Sequence, residues 1–190
     1  MPQAKTLTPT EIEQVLAYID GKPNAIRNRV MFLMTILAGF RVSEVAGLTI
    51  SDVRNTNGSI KAEVYLAANK VKHGNDGVVY LNERLKKELE QYVSGKKWFS
   101  DDQALFNTMA NPRKGFTANT LTQHFFYLYK RAGIEGGSSH SGRRTFITTL
   151  ANKGVSVRLL ASLVRHANIS TTQRYIDVND DMKRAAVELV

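Results

Sequence analysis

Apolar residues first recur at helical spacing. Ile12, Val15, Leu16 and Ile19 fall on one face of a helix. Thr8-Pro9-Thr10-Glu11 supplies its start, with a threonine cap, proline at the first helical position and a glutamate that closes a capping box. Gly21 ends it. The next helix, from about Pro23 to Ala38, is apolar on nearly every side. Its densest part, Val30 to Phe40 (VMFLMTILAGF), reads as a buried core helix and is too short to span a bilayer. Gly39 breaks it just before Arg41. Ser43 is placed to cap a short helix, Ser43 to Leu48, with Glu44 in its first turn.

The period then changes. Ile60 to Ala67 and Gly77 to Leu81 read as strands joined by the polar turn KVKHGNDG. Asn82 caps a charged amphipathic helix to about Val93, and residues 94–116, with Gly95, Pro112 and Gly115, read as irregular. Thr120 and Gln123 have capping-box spacing for a helix that reaches Ala132, with Gly133 as its stop. Helices are predicted at about 142–153, 156–165 and 170–176, punctuated by Gly154 and Asn168. Ser170-Thr171-Thr172-Gln173 is expected to start the helix that carries Tyr175, and residues 179–190 to form a short terminal helix. These elements predict a mainly α fold with a small antiparallel β-sheet, α+β in class. No internal repeat, low-complexity tract or linker divides residues 1–190, so a single domain is expected.

Composition narrows the possibilities. Hydrophobic residues make up 43% and charged residues 23%, an ordinary globular balance. The chain has no cysteine, which excludes disulfide frameworks and cysteine-ligated metal sites, and favours a reducing, cytoplasmic location. The N-terminus MPQAKTLTPTEIEQ has neither an apolar signal core nor an arginine-rich amphipathic stretch. Twenty-six basic residues against 17 acidic ones give a net charge of +9, which makes a polyanion, nucleic acid above all, a natural partner.

Several residues carry candidate chemistry. Arg41 lies in GFRVSEVAGL, between a buried helix and a short one. His140-Ser141-Gly142-Arg143-Arg144 places a histidine and an arginine three apart at a helix start, where backbone N–H groups favour an anion. His166 follows a helix end, and Tyr175 comes nine residues later in HANISTTQRYI. Taken singly, each has an ordinary structural explanation. Together they are the groups that transfer of a phosphodiester to a protein hydroxyl requires. Its transition state gathers negative charge on the non-bridging oxygens, and planar guanidinium groups match those oxygens bidentately. A phenol, with a pKa of about 10, must be polarised to attack at neutral pH. The departing 5′ oxygen needs a proton, which a lysine can give. Cationic side chains can hold the charge without a metal, and the four scattered histidines and absent H-E-x-x-H offer no metal-ligand cluster. No cofactor is expected.

The segments AGFRVSEVAGLTISDV, SSHSGRRTFITTLANKG and LVRHANISTTQRYI resemble, in order and spacing, the signature boxes of the tyrosine recombinase (phage integrase) family. The resemblance runs from about residue 7 to 178 and covers essentially that family's catalytic domain. It implies the tyrosine recombinase catalytic-domain fold, and site-specific cutting and rejoining of double-stranded DNA without ATP. It further implies that Arg41 and Arg143 clamp the scissile phosphate and that His140 and His166 hydrogen-bond it and assist proton movement. Tyr175 would form a 3′-phosphotyrosyl bond, and Glu44 would support the first arginine. The family's lysine lies in the strand hairpin, before a stretch that resembles Val79-Tyr80-Leu81. Counting back without a gap gives Lys72, with Lys70 as the alternative if the turn is longer.

Two positions depart from the family pattern. Gly142 stands where leucine is usual, with the expected loss of one core contact, and Tyr80 replaces a common proline. The resemblance also leads one to expect an N-terminal core-binding domain, which these residues do not include. Asp180 to Val190, with Met182, Ala185, Ala186 and Leu189 at helical spacing, resembles the tail that family members dock into a neighbouring subunit. An intramolecular packing helix is the competing reading. Exchange of the tail would place four protomers around two DNA sites, from protomers that are monomeric without DNA. Two other functions compete with recombination: type IB topoisomerase chemistry, and a non-catalytic DNA-binding regulator built on the same fold.

Overall fold

Thr8 caps as its spacing predicts: its hydroxyl accepts from the Glu11 N–H at 3.2 Å and Glu11 returns a carboxylate oxygen to the Thr8 N–H at 2.9 Å. This opens α1, Pro9–Asp20. The structure, a computed structural model, describes residues 4–67, 76–96, 100–108, 114–175 and 180–188. Helix α2, Ala25–Leu37, is the axis of the core. Val30, Met31, Phe32 and Met34 are fully buried, as the unbroken apolar run predicts. Each such side chain contributes roughly 1.5–3 kcal/mol on burial. Helices α1, α5 (Glu83–Ser94) and α7 (Ser141–Asn152) pack around α2.

Between α2 and α5 the chain forms α3 (Val42–Ala46), α4 (Ile50–Val53) and the strands β1 (Glu63–Leu66) and β2 (Gly77–Tyr80). The strands pair antiparallel, with Val64 opposite Val79 and Tyr65 opposite Val78. Val64, Leu66 and Val79 face the core, while Tyr65 and Tyr80 face solvent. After α5 come α6 (Ala118–Arg131), α7, α8 (Val157–Leu163), α9 (Ile169–Gln173) and α10 (Asp180–Val187). The mainly helical α+β class and the two-stranded sheet are therefore as expected. Among the described residues, no helix is long and apolar enough to cross a membrane.

Local differences from the sequence expectation have identifiable causes. Helix α4 was not anticipated: it is four residues long, and Asp52 holds its start by accepting from the Thr49 N–H at 2.8 Å. Helix α6 begins at Ala118, because Thr117, not Thr120, is the cap and Thr120 returns its hydroxyl to the Thr117 N–H. The stretch predicted as irregular is tied to the body by an isolated bridge from Thr49 to Ala104 and closed on itself by another from Asn107 to Gly115. Within it, Leu105 and Phe106 are buried core residues. The short helix begins at Val42, with Arg41 rather than Ser43 in the cap position.

Gly142 is where the structure reverses an expectation. A Cβ there would lie 2.0 Å from Thr35 Oγ1 and 2.6 Å from Thr35 Cβ. The glycine does not forfeit a contact; it allows α7 to approach α2 closely. That approach sets the position of the next residue, Arg143.

Candidate active site

The site begins where α2 ends. Gly39 adopts a left-handed φ of +65°, and the ring of Phe146 occupies the space a side chain would take. The turn leads into Arg41 at the start of α3. Three residues on, Glu44 points back: its carboxylate accepts from the Arg41 N–H at 2.8 Å and from Arg41 Nη1 at 2.6 Å. The Glu44 side chain is 1% exposed, whereas that of Arg41 is 29% exposed and open to a ligand from solvent.

Helix α7 brings the second arginine from the opposite side. Arg143 Nη1 donates to the Gly39 carbonyl at 2.6 Å, and Nη2 donates to the Val164 carbonyl. One guanidinium thus ties the end of α2 to the end of α8. Each terminal nitrogen has a second N–H beyond these bonds. Glu44 Oε2 lies 4.0 Å from Arg143 Nη1, close enough for a charge interaction. His140 occupies the cap position of α7 and is exposed at the rim.

The third wall is the turn after α8. Val164 ends that helix, Arg165 takes a left-handed φ of 53°, and His166 follows. For a side chain that is not glycine this conformation costs roughly 1–2 kcal/mol. Arg165 Nη2 donates to Glu44 Oε2 at 2.7 Å. Glu44 is therefore bonded to Arg41 and Arg165 and lies beside Arg143. His166 Nδ1 lies 2.8 Å from the hydroxyl of Thr172, a buried residue on α9.

Tyr175 does not ride on a helix, contrary to the sequence expectation. Asn168 caps α9 by accepting from the Ser170 N–H, which starts the helix earlier than the Ser170–Gln173 spacing suggested, and the helix ends at Gln173, short of Tyr175. Tyr175 lies in the turn beyond it, its N–H bonded to the Thr172 carbonyl at 2.9 Å. Its ring stacks against His166, with centroids 6.1 Å apart and planes at 24°. The Arg144 guanidinium carbon lies 5.4 Å from the Tyr175 ring centroid.

The charges act on one another. Burial alone would raise the Glu44 carboxyl, but Arg165, Arg143, the Arg41 N–H and the Arg41 guanidinium overcome that and hold it below its ordinary value. Burial, then Arg41, lowers the Arg143 guanidinium, opposed by Glu44 and Tyr175. Burial, then Arg143, Arg41 and Arg165, pulls His166 down to about 4. His140 is lowered by partial desolvation, then by Arg143 and Arg41. Both imidazoles are consequently neutral at neutral pH, in a pocket whose net charge is positive. Such a pocket suits an anion with several oxygens.

The structure thus gathers Arg41, Glu44, His140, Arg143, His166 and Tyr175 from four separate segments into one place. Lys72 and Lys70 lie outside the described residues, as does the turn that carries them. Sequence reasoning missed Arg165, Thr172 and Arg144 as parts of the site. Arg165 stood in the quoted segment LVRHANISTTQRYI, next to His166, and its pairing with Glu44 depends on a turn that no local spacing reveals. Among the described residues, no group of three or more potential metal ligands is assembled.

Residues 5–182 match the model of the Phage integrase family. The chain belongs to that family. Phage integrase relatives include tyrosine recombinase XerA of Pyrococcus horikoshii, 29% identical over 97% of this chain and 60% of that protein. Another is tyrosine recombinase XerC of Lactobacillus leichmannii, 30% identical over 89% of this chain and 57% of that protein. The chain therefore spans a little under two thirds of these curated relatives. In structure it is similar to XerA recombinase, with a TM-score of 0.76 at 25% identity, covering 100% of this chain and 66% of that one. It also shares its fold with the Tn1549 transposon integrase in complex with circular intermediate DNA, with a TM-score of 0.73 at 23% identity over 99% of this chain and 67% of that one.

Proposed function

We propose that this phage integrase domain cuts and rejoins double-stranded DNA at specific sites through a covalent phosphotyrosyl intermediate. The observation that carries the reading is the convergence of Arg41, Arg143, His140 and His166 on the place where Tyr175 stacks, with buried Glu44 fixing the arginines from behind. Relatives named tyrosine recombinases support it, and so does a similar fold, that of XerH, described bound to a difH substrate.

In this mechanism the Tyr175 oxygen attacks the scissile phosphorus while the bond from phosphorus to the 5′ oxygen breaks. The DNA is left joined through its 3′ phosphate to Tyr175, and the 5′ oxygen leaves as a hydroxyl. Attack by a 5′ hydroxyl reverses the step, so each phosphodiester bond lost is regained and no ATP is consumed. Arg41 and Arg143 bind the non-bridging oxygens, where charge accumulates in the transition state. With Thr172 donating to Nδ1, His166 carries its proton on Nε2 and offers that N–H to the phosphate. His140, at the α7 N-terminus, accepts the proton that the Tyr175 phenol gives up. Lys72, or else Lys70, supplies the proton to the leaving oxygen. The same reading places the enzyme in the cytoplasm, with four protomers assembling on two DNA sites.

The test is a nicked DNA duplex from the source genome, on which the cleaved 5′ end diffuses away and traps the adduct. The wild-type chain is expected to give an SDS-resistant protein–DNA adduct and Tyr175→Phe none, with DNA affinity unchanged. An adduct formed equally by Tyr175→Phe would remove Tyr175 as nucleophile. Measurable DNA binding without an adduct on any trapped substrate would leave a DNA-binding protein instead.

A further inference from the structure

Arg165 is unusual in three independent respects. Asn24 and Arg165 are the two positive-φ residues other than glycine among those described, and Asn24 sits in an exposed turn whereas Arg165 is buried. Its Nε and Nη1 are shielded from solvent and have no hydrogen-bond partner, although an unpaired buried donor is costly. Its aliphatic stem lies against the first residue of β2: a Cβ on Gly77 would come within 2.7 Å of Arg165 Cδ and 3.1 Å of Cγ. A strained, buried and incompletely satisfied arginine is retained only where the surroundings hold it. Here Glu44 holds one end and the β2 backbone presses on the stem.

The geometry also makes Arg165 a junction. An open cleft of about 510 Å³ between β2 and α8 is lined by Gly77, Tyr80, Leu159, Arg165 and His166. Strand β2 forms one side of this cleft. The ion pair on the other side leads through Glu44 to Arg41. The backbone of Arg165 itself sets the direction in which His166 projects.

Resting on the recombinase reading above, we propose that Arg165 is a positioning residue that locks the β1–β2 hairpin, the Glu44–Arg41 pair and His166 into one register and adds a third positive charge behind the phosphate site. It acts through these neighbours and not by touching DNA, since its unpaired nitrogens are closed to solvent.

The test starts from Arg165→Gly, which suits the left-handed backbone and removes both the charge and the stem. His166 is faced by Arg143 on α7, Arg41 and Glu44 around the start of α3, Arg165 beside it and Tyr175 beyond α9. In the DNA-free protein, Arg165→Gly should therefore move the His166 imidazole titration, followed by NMR, to higher pH, and Arg165→Lys should return it toward the wild-type position. Adduct formation at saturating DNA should fall about 10–100-fold in Arg165→Gly, the range seen when a partner that orients a site ligand is lost, with little change in DNA affinity. Lysine should restore only part of that rate, because it cannot reproduce the planar fork. Gly77→Ala should slow the wild type more than it slows Arg165→Gly, since the clash with the stem is then gone.

An unmoved His166 titration, or strictly additive effects of Gly77→Ala and Arg165→Gly, would overturn the assignment. These outcomes separate from failure of the recombinase reading. A wild-type chain that forms no adduct sinks that reading, while the titration still decides whether Arg165 governs His166.

Discussion

Around Glu44, side chains from distant parts of the chain are buried and cross-braced. Arg143 bonds two backbone carbonyls, Arg165 bonds the carboxylate, and both arginine side chains are about 5% exposed (6% and 5%). The segment that carries Tyr175 is held differently. It follows a five-residue helix, and apart from its own turn Tyr175 is tied by a 3.4 Å bond from the Thr148 hydroxyl to its carbonyl and by ring contacts with His166 and Arg144. Groups that stabilise developing charge are worth most when they need no rearrangement at the moment of reaction. In the proposed mechanism Tyr175 must approach phosphorus and then carry a covalently bound strand, which needs room to move. The contrast predicts a stiff anion-binding wall facing a lightly tethered tyrosine.

The severest way to break that contrast is Glu44→Gln. The shape is kept, but Arg143 and Arg165 lose the charge that balances them in the interior. Removing one partner of a buried pair costs about 3–5 kcal/mol. The urea midpoint should fall accordingly, and adduct formation should fall with it. A wild-type midpoint would show that the carbonyl bonds of Arg143 hold the wall alone.

Gly142→Ala probes the same wall from its packing side and should have a smaller effect. The added methyl must displace Thr35, whose side chain is wholly buried. Overpacking of this kind costs about 1–3 kcal/mol. Thr35→Ala in the same chain should recover part of the loss, and Ala at position 142 alone should also slow cleavage by shifting Arg143. Wild-type stability and cleavage in Gly142→Ala would mean that α7 can slide without disturbing the clamp.

These two residues also mark how far the sequence could be read. Helical periodicity, the Thr8 and Asn82 caps and the strand alternation fixed the class of fold and the extent of most elements, because each depends on neighbours along the chain. Arg41, His140, Arg143, His166 and Tyr175 could be picked out as a set because the proposed phosphodiester chemistry calls for those side-chain types together. Their meeting at one place depends on the close approach of α2 and α7 and on a left-handed turn at Arg165, and neither has a local signature. Gly142 looked like a lost contact when read alone and becomes a requirement beside Thr35. Asn168, two residues ahead of Ser170, takes the cap, and the short helix ends at Gln173, so Tyr175 falls outside its expected helix. The candidate lysines, Lys70 and Lys72, remain a matter of sequence, since they lie outside the described residues.

The gentlest probe of the wall is proton uptake by His166. Burial, followed by the three arginines, lowers it from its ordinary 6.5 to about 4 in the folded protein. Above about pH 6.5 the imidazole is neutral in both folded and unfolded chains and adds no pH dependence. As pH falls below that value, the unfolded chain binds a proton that the folded site refuses, so stability declines until the folded site also protonates near 4. Stability should therefore rise with pH across this window. His124 contributes in the same direction, lowered to about 4 by burial and then by Arg27 and Arg131, but it lies on α6 away from Tyr175. Urea midpoints measured across the window should fall less steeply for His166→Gln than for the wild type, with the remaining slope divided between His124 and His140, which is also lowered, by His124→Gln and His140→Gln. An unchanged slope in His166→Gln would mean that the positive wall does not reach His166. A phosphodiester bound as proposed would bring opposite charge into the same pocket and restore the affinity of His166 for its proton. DNA binding within the window should then take up more protons in the wild type than in His166→Gln, which ties the stiff wall to its ligand through one titrating group.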